Sequence, residues 1–174
     1  NLFIHEGNVI ALPLDITANG LFVNTDLLNK YNVNFPRLGD PIWSWDEFET
    51  EMNKLRAGVG VDVNFPGVFD PQAHRFFPMF FQHGVQIWNT PYTSSNLTSA
   101  PAIRALSRLV SFYSTGLIDD AVFAGSTAAA LFRTGAYGFH MSGNWNVSSY
   151  QDLPFDWEVV PMPKDVNRAT VLGG

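Results

Sequence analysis

The stretch Gly20-Leu21-Phe22-Val23-Asn24-Thr25-Asp26-Leu27-Leu28 passes from one periodicity to another with no linker between them. Its opening half is an apolar run of strand length. Thr25 then begins a short helix that carries Leu27, Leu28 and Tyr31. Upstream, Val9-Ile10-Ala11-Leu12-Pro13-Leu14-Asp15 reads as a mostly apolar strand, and Pro13 pushes it toward an edge or a crossing. Downstream, Ser44-Trp45-Asp46-Glu47 is a capping box: the Ser hydroxyl serves the Glu47 amide and the Glu47 carboxylate reaches back. The helix it starts sets Trp45, Phe48, Met52 and Leu55 on one stripe, so Trp43 and Trp45 read as core.

From Gln72 to His83, Phe76, Phe77, Met79, Phe80 and Phe81 leave little polar circumference, which predicts a helix buried on several sides. Pro78 should kink it or mark its first turn. Residues 101–115 predict the cleanest amphipathic helix, with Ala102, Leu106, Leu109 and Tyr113 on the stripe and Arg104 and Arg108 off it. Pro101 opens that helix and Gly116 closes it. A shorter helix follows over about 126–134, then a strand over 136–141, a one- to two-turn helix over 144–150 and a final strand over 155–161. Helices and short strands therefore alternate. That pattern predicts an α/β fold, a mixed sheet with helices on both faces, forming a single domain over residues 1–174.

At 174 residues the chain is one ordinary domain, and 46% hydrophobic against 15% charged residues allows a substantial core and excludes global disorder. A net charge of −6 argues against a nucleic-acid partner, whose backbone demands a clustered basic surface. The absence of cysteine removes disulfides and zinc–thiolate sites and leaves the redox compartment open. No stretch is long and apolar enough for a membrane span. Asn1 reads as a processing or cloning boundary that carries no targeting information.

Familiar enzyme signatures are missing: no phosphate-binding glycine loop, no dinucleotide fingerprint, no His-Glu-x-x-His and no Gly-x-Ser-x-Gly. His5, His74, His83 and His140 are scattered, so neither a metal nor any other cofactor is expected. Acids such as Asp46, Glu47, Glu49 and Glu51 sit where solvated faces and caps put them. A pair of carboxylates distant in sequence still leaves a glycoside hydrolase open. The distinctive feature is polar residues at strand ends beside aromatics. Asp15, Thr17 and Asn19 follow the first strand, Asp70 precedes the aromatic helix with Gln72 and His74 in its first turn, and Ser142-Gly143-Asn144-Trp145-Asn146 links a strand to a helix. Ligands of α/β sheets bind where such ends converge. Trp145 lies in a glycine-containing turn and on no apolar stripe, so its indole can offer a flat face to a sugar ring.

These residues also carry a family resemblance. Glu6 to Asp15, Asn19 to Leu28, Trp43-Ser44-Trp45-Asp46-Glu47-Phe48, Ala102 to Leu106 with Tyr113 to Ile118, Phe132 to Tyr137, Gly143-Asn144-Trp145 and Phe155 to Pro163 resemble, in order, segments of the extracellular solute-binding proteins, family 1. These are the sugar receptors of ABC importers, whose best-known relative is maltose-binding protein. The resemblance implies a periplasmic-binding-protein-like type II lobe. It implies most of the second lobe of a two-lobed receptor, with hinge crossings near 11–17 and 160–164 and the last residues, 171–174, in the first lobe. It implies a non-catalytic, extracytoplasmic protein, periplasmic or lipid-anchored, that hands a carbohydrate to ABC permease subunits. Carried over position by position, Trp145 matches the sugar-stacking aromatic, Gly143 and Asn144 its neighbours, and Thr17 a polar cleft residue with Asp15 and Asn19 beside it. His74 falls near a position that is often aromatic, and Asp70 and Gln82 complete the candidate set. A polyol, glycerol phosphate or peptide is the alternative solute, with Arg75 the candidate partner for phosphate. Without its other lobe the segment is expected to bind sugar poorly, and to self-associate through apolar surface at Leu12, Leu14 and Pro161-Met162-Pro163.

Overall fold

A computed structural model describes residues 3–12, 17–167, 169 and the backbone of 172–173. Its first element is a two-stranded hairpin, β1 (Ile4–His5) with β2 (Asn8–Val9). Glu6 and Gly7 form its loop with φ of 48° and 80°, the doubly left-handed geometry that matches the twist of a tight hairpin. The apolar run expected as one strand from Val9 is thus divided. Val9 pairs with Ile4, residues 10–12 are irregular, and Pro13, Leu14 and Asp15 lie outside the described residues.

The main sheet is organised on β3 (Thr17–Asn24), followed at once by α1 (Thr25–Lys30), which the Asn24 side chain caps through the Leu27 amide. Next come α2 (Trp45–Lys54), β4 (Phe65–Phe69), α3 (Ala73–Gln82), α4 (Ala100–Ser114), α5 (Ala128–Phe132), β5 (Tyr137–Gly143), β6 (Trp157–Val160) and β7 (Leu172–Gly173). Strand order is β4-β5-β3-β6, with β7 on the start of β3. β4 and β5 are parallel, while β3 is antiparallel to β5, β6 and β7, so the sheet is mixed.

Alternation along the strands divides the core. Leu21 and Val23 of β3 and Phe139 and Met141 of β5 join Leu27, Leu28, Trp45, Phe48, Met52, Met79, Phe80 and Phe112 on one face. Phe22 and Val68 join Phe132 of α5 and Tyr150 on the other. Helices therefore cover both faces, as the alternating pattern predicts. The Ser44–Glu47 capping box is formed, and its stripe of Trp45, Phe48, Met52 and Leu55 is buried.

Three expectations change. The buried stripe of α4 is Ala102, Ala105, Leu109 and Phe112; Leu106 is 50% exposed and Tyr113 only half-buried. Both assignments obey helical spacing, and the wholly apolar Phe112 ring, with no hydroxyl to satisfy, takes the core position against Trp45 and Phe48. The one- to two-turn helix expected over 144–150 takes the form of two single 3-10 turns, Asn144–Asn146 and Ser148–Tyr150. Met162 and Pro163 are buried, because Lys164 is hydrogen-bonded by its amide to the Trp43 carbonyl and draws this segment onto the start of α2. Leu12 does remain exposed.

Candidate functional site

The antiparallel register places Asn19 opposite Gly143, which brings the start of β3 beside the end of β5. The parallel register sets Phe69 opposite Met141, so Asp70 emerges from β4 next to Ser142. α3 begins three residues after Asp70 and contributes His74 and Arg75. Thr17, Asn19, Asp70, His74, Gly143, Asn144 and Trp145 are thereby gathered at one end of the sheet.

Pro78 explains how α3 is fastened there. It is inside the helix and has no N–H, so the carbonyl four residues earlier, that of His74, lacks its helical donor. The Asn19 amide fills the gap: its Nδ2 donates to the His74 carbonyl at 2.9 Å. The other end of the same amide accepts from Arg75 Nη1 at 3.2 Å. Asn144 Oδ1 accepts from the Ala18 amide at 3.1 Å and ties the Trp145 turn to β3.

Trp145 is 38% exposed and held on two sides. The Arg75 guanidinium carbon sits 3.7 Å from the centre of its ring, a cation–π stack. The ring also occupies the space above Gly143, where an added Cβ would come within 1.7 Å of Cζ3 and 1.8 Å of Cη2. Glycine is needed there for that contact, since its φ of −132° is ordinary extended backbone.

Beneath the indole lies a buried polar network centred on Asp70. Ser142 Oγ donates to Asp70 Oδ2 at 2.7 Å and accepts from Asn146 Nδ2 at 2.8 Å. Arg75 Nε is 3.6 Å and His140 Nε2 3.9 Å from the same carboxylate oxygen. Tyr150, whose phenol burial pushes up, keeps its proton and meets His140 Nδ1 at 2.8 Å. His140 Nε2 is the ring nitrogen that faces Asp70. Burial drives the His140 pKa down, against the pull of Asp70. Burial draws the Asp70 carboxyl up, but His140, Ser142 and Arg75 outweigh it and hold the group below its ordinary range. His74 is also pushed down, by burial and by the neighbouring Arg75 charge.

Gln82 is placed elsewhere. It is buried at the far end of α3, its carbonyl accepting from Trp45 Nε1 at 2.9 Å and its amide donating to the Ala169 carbonyl at 2.7 Å. Asp15 lies outside the described residues. The sequence marks Ser142 only as part of the turn before Trp145 and does not assign His140 or Tyr150 to the site, although the strand period sets residues 140 and 142 on one face. The spacing of four between His74 and Pro78 likewise carried the freed carbonyl. Among the described residues no cluster of three or more His, Cys, Asp or Glu is suited to a metal.

The family model described as "Bacterial extracellular solute-binding protein" matches residues 2–174. The chain belongs to that family. No curated protein sequence matches it significantly. Among solved structures, this solute-binding chain is similar to an ABC substrate-binding protein of Listeria monocytogenes in complex with cycloalternan, with a TM-score of 0.84, 22% identity and 98% of the chain covered. A maltose-bound protein of T. maritima gives 0.77, 20% and 99%. The GacH receptor of Streptomyces glaucescens, solved unliganded and with acarbose, gives 0.76, 18% and 99%. At these identities the likeness establishes the fold. The chain spans 43–45% of the length of these relatives. Family and relatives alike are binding proteins, not enzymes, and the family is extracytoplasmic. Among the described residues no helix is long and apolar enough to cross a membrane.

Proposed function

We propose that this chain is most of one lobe of a two-lobed receptor, which captures a carbohydrate for an ABC importer without chemically altering it. Trp145 supplies the stacking wall, and Asn144, Gly143, Thr17, Asn19 and His74 surround it. The crossings to the other lobe fall near 11–17 and 160–164, and the intact protein delivers its sugar to permease subunits. The observation that carries this reading is a partly open indole, fixed by Gly143 and Arg75 at the converging ends of β3, β4 and β5. Rigid aromatics in that position suit the C–H face of a sugar ring, while the nearby amides suit its hydroxyls.

Two features count against the alternatives. Asp70, the acid beneath Trp145, has its pKa held down, the opposite of what a glycosidase's general acid requires. Arg75, the sequence candidate for a phosphate, is paired with Asp70 and Asn19 and stacked on Trp145, so its charge is already matched. A neutral solute fits best. Titration of the receptor with maltose, acarbose and glycerol 3-phosphate tests the assignment. Binding of a neutral saccharide supports it, and binding of glycerol phosphate alone overturns it.

A further inference from the structure

We propose that Arg75 is a positioning residue for the ligand wall, held in place by Asp70, so that a carboxylate beneath the site sets the orientation of the Trp145 indole. The inference deepens the carbohydrate reading and rests on it for its ligand. Arg75 reaches the ring over its face, with the guanidinium carbon 3.7 Å from the ring centre, so this contact is its means of holding the indole. The cation is itself constrained from two directions. Asp70 Oδ2 faces Nε at 3.6 Å, and Asn19 Oδ1 accepts from Nη1 at 3.2 Å. Only 12% of the Arg75 side chain and 17% of the Asp70 side chain are exposed, so solvent screens the pair weakly.

Asp70 is in turn fixed by Ser142 at 2.7 Å. Its carboxylate cannot follow the guanidinium if that group moves. The order of support therefore runs from Ser142 to Asp70, then Arg75, then Trp145. Gly143 and Arg75 together confine the ring, which stays 38% exposed. Arg75 thereby sets the orientation in which the exposed part of the indole is offered to a ligand. A lysine at the position would keep the charge and lose the planar contact.

The test uses the chain labelled with 5-fluorotryptophan, whose five tryptophans give separate fluorine resonances. Loss of one resonance in Trp145→Phe assigns that residue. Asp70→Asn, Arg75→Met and Arg75→Lys should each shift or broaden the Trp145 resonance and leave those of Trp43, Trp45, Trp88 and Trp157 in place. A Trp145 resonance unmoved by Arg75→Met, or unmoved by a folded Asp70→Asn, overturns the proposal. Arg75→Met removes no buried carboxylate, so it still decides if Asp70→Asn fails to fold. In the receptor, the same variants should weaken maltose or acarbose binding several-fold, up to about tenfold for loss of a partly desolvated cation–π contact. Failure of the intact receptor to bind either sugar would defeat the carbohydrate reading alone, because the shifts among unliganded variants of the chain test the positioning separately.

Discussion

At Gly143 the absence of one carbon decides the site. Gly143→Ala puts a methyl into the Trp145 ring, so the indole must swing away. Saccharide affinity should fall by about tenfold or more, with a smaller loss of thermal stability, since the ring is already partly exposed. Calorimetry beside a melting curve checks this, and unchanged affinity would contradict it. His140 gives a second prediction, in pH. Its pKa is depressed below 6.5 in the folded chain, and that of Asp70 lies below 3.8, so the unfolded chain takes up protons more readily at both. Stability is therefore present above about pH 6.5 and lost as pH falls through that value and then through the carboxylate range. Between about pH 8 and 5 the melting temperature of the native chain should decline, and His140→Phe should flatten the slope. Equal slopes would count against it. Trp145, Asn144 and Asn19 were legible because their residue types stand out at strand ends. His140 was not, and Ser142 was visible only as part of the turn, because their bond and charge partner appears only when parallel pairing brings Asp70 across from another strand.

Single helices show where sequence logic reached and where it stopped. The Ser44 cap is a local device and was readable. Ser44→Ala should cost about 1 kcal/mol by chemical denaturation. In α4 two apolar stripes compete, and spacing alone cannot rank them. Phe112→Ala should cost about 3–5 kcal/mol through the cavity it leaves, whereas Leu106→Ala should cost less than about 1 kcal/mol. Comparable losses would restore the stripe expected from sequence. Pro78 is the instructive case in α3. Its ring costs helix stability, and the carbonyl it frees is what Asn19 grips. Pro78→Ala lets the helix reclaim that carbonyl. Stability should hold or rise while saccharide affinity falls, a divergence that a merely structural proline would not produce.

The whole molecule is a mixed sheet covered on both faces, with Thr17, Asn19, Asp70, His74, Gly143, Asn144 and Trp145 on one rim and Gln82 apart from them. The layers followed from alternating periodicities, since strand and helix spacing is a local property that packing then exploits. The hairpin at Glu6-Gly7 escaped notice because only its glycine carries a turn signal. An exposed rim is one wall, so hydroxyls of a bound sugar keep facing water and each hydrogen bond contributes little net free energy. On the proposed two-lobed reading, the chain by itself should bind maltose or acarbose much more weakly than the intact receptor. Its exposed Leu12, Ile103, Leu106 and Val110 also favour concentration-dependent association, which sedimentation would detect.

If Trp145 forms the stacking wall of a carbohydrate site, its removal must show in calorimetric titration of the receptor and its Trp145→Ala variant with whichever of maltose and acarbose binds. Trp145→Ala should lose about one to a few kcal/mol of binding free energy while remaining folded. An unchanged dissociation constant would remove the indole from the site.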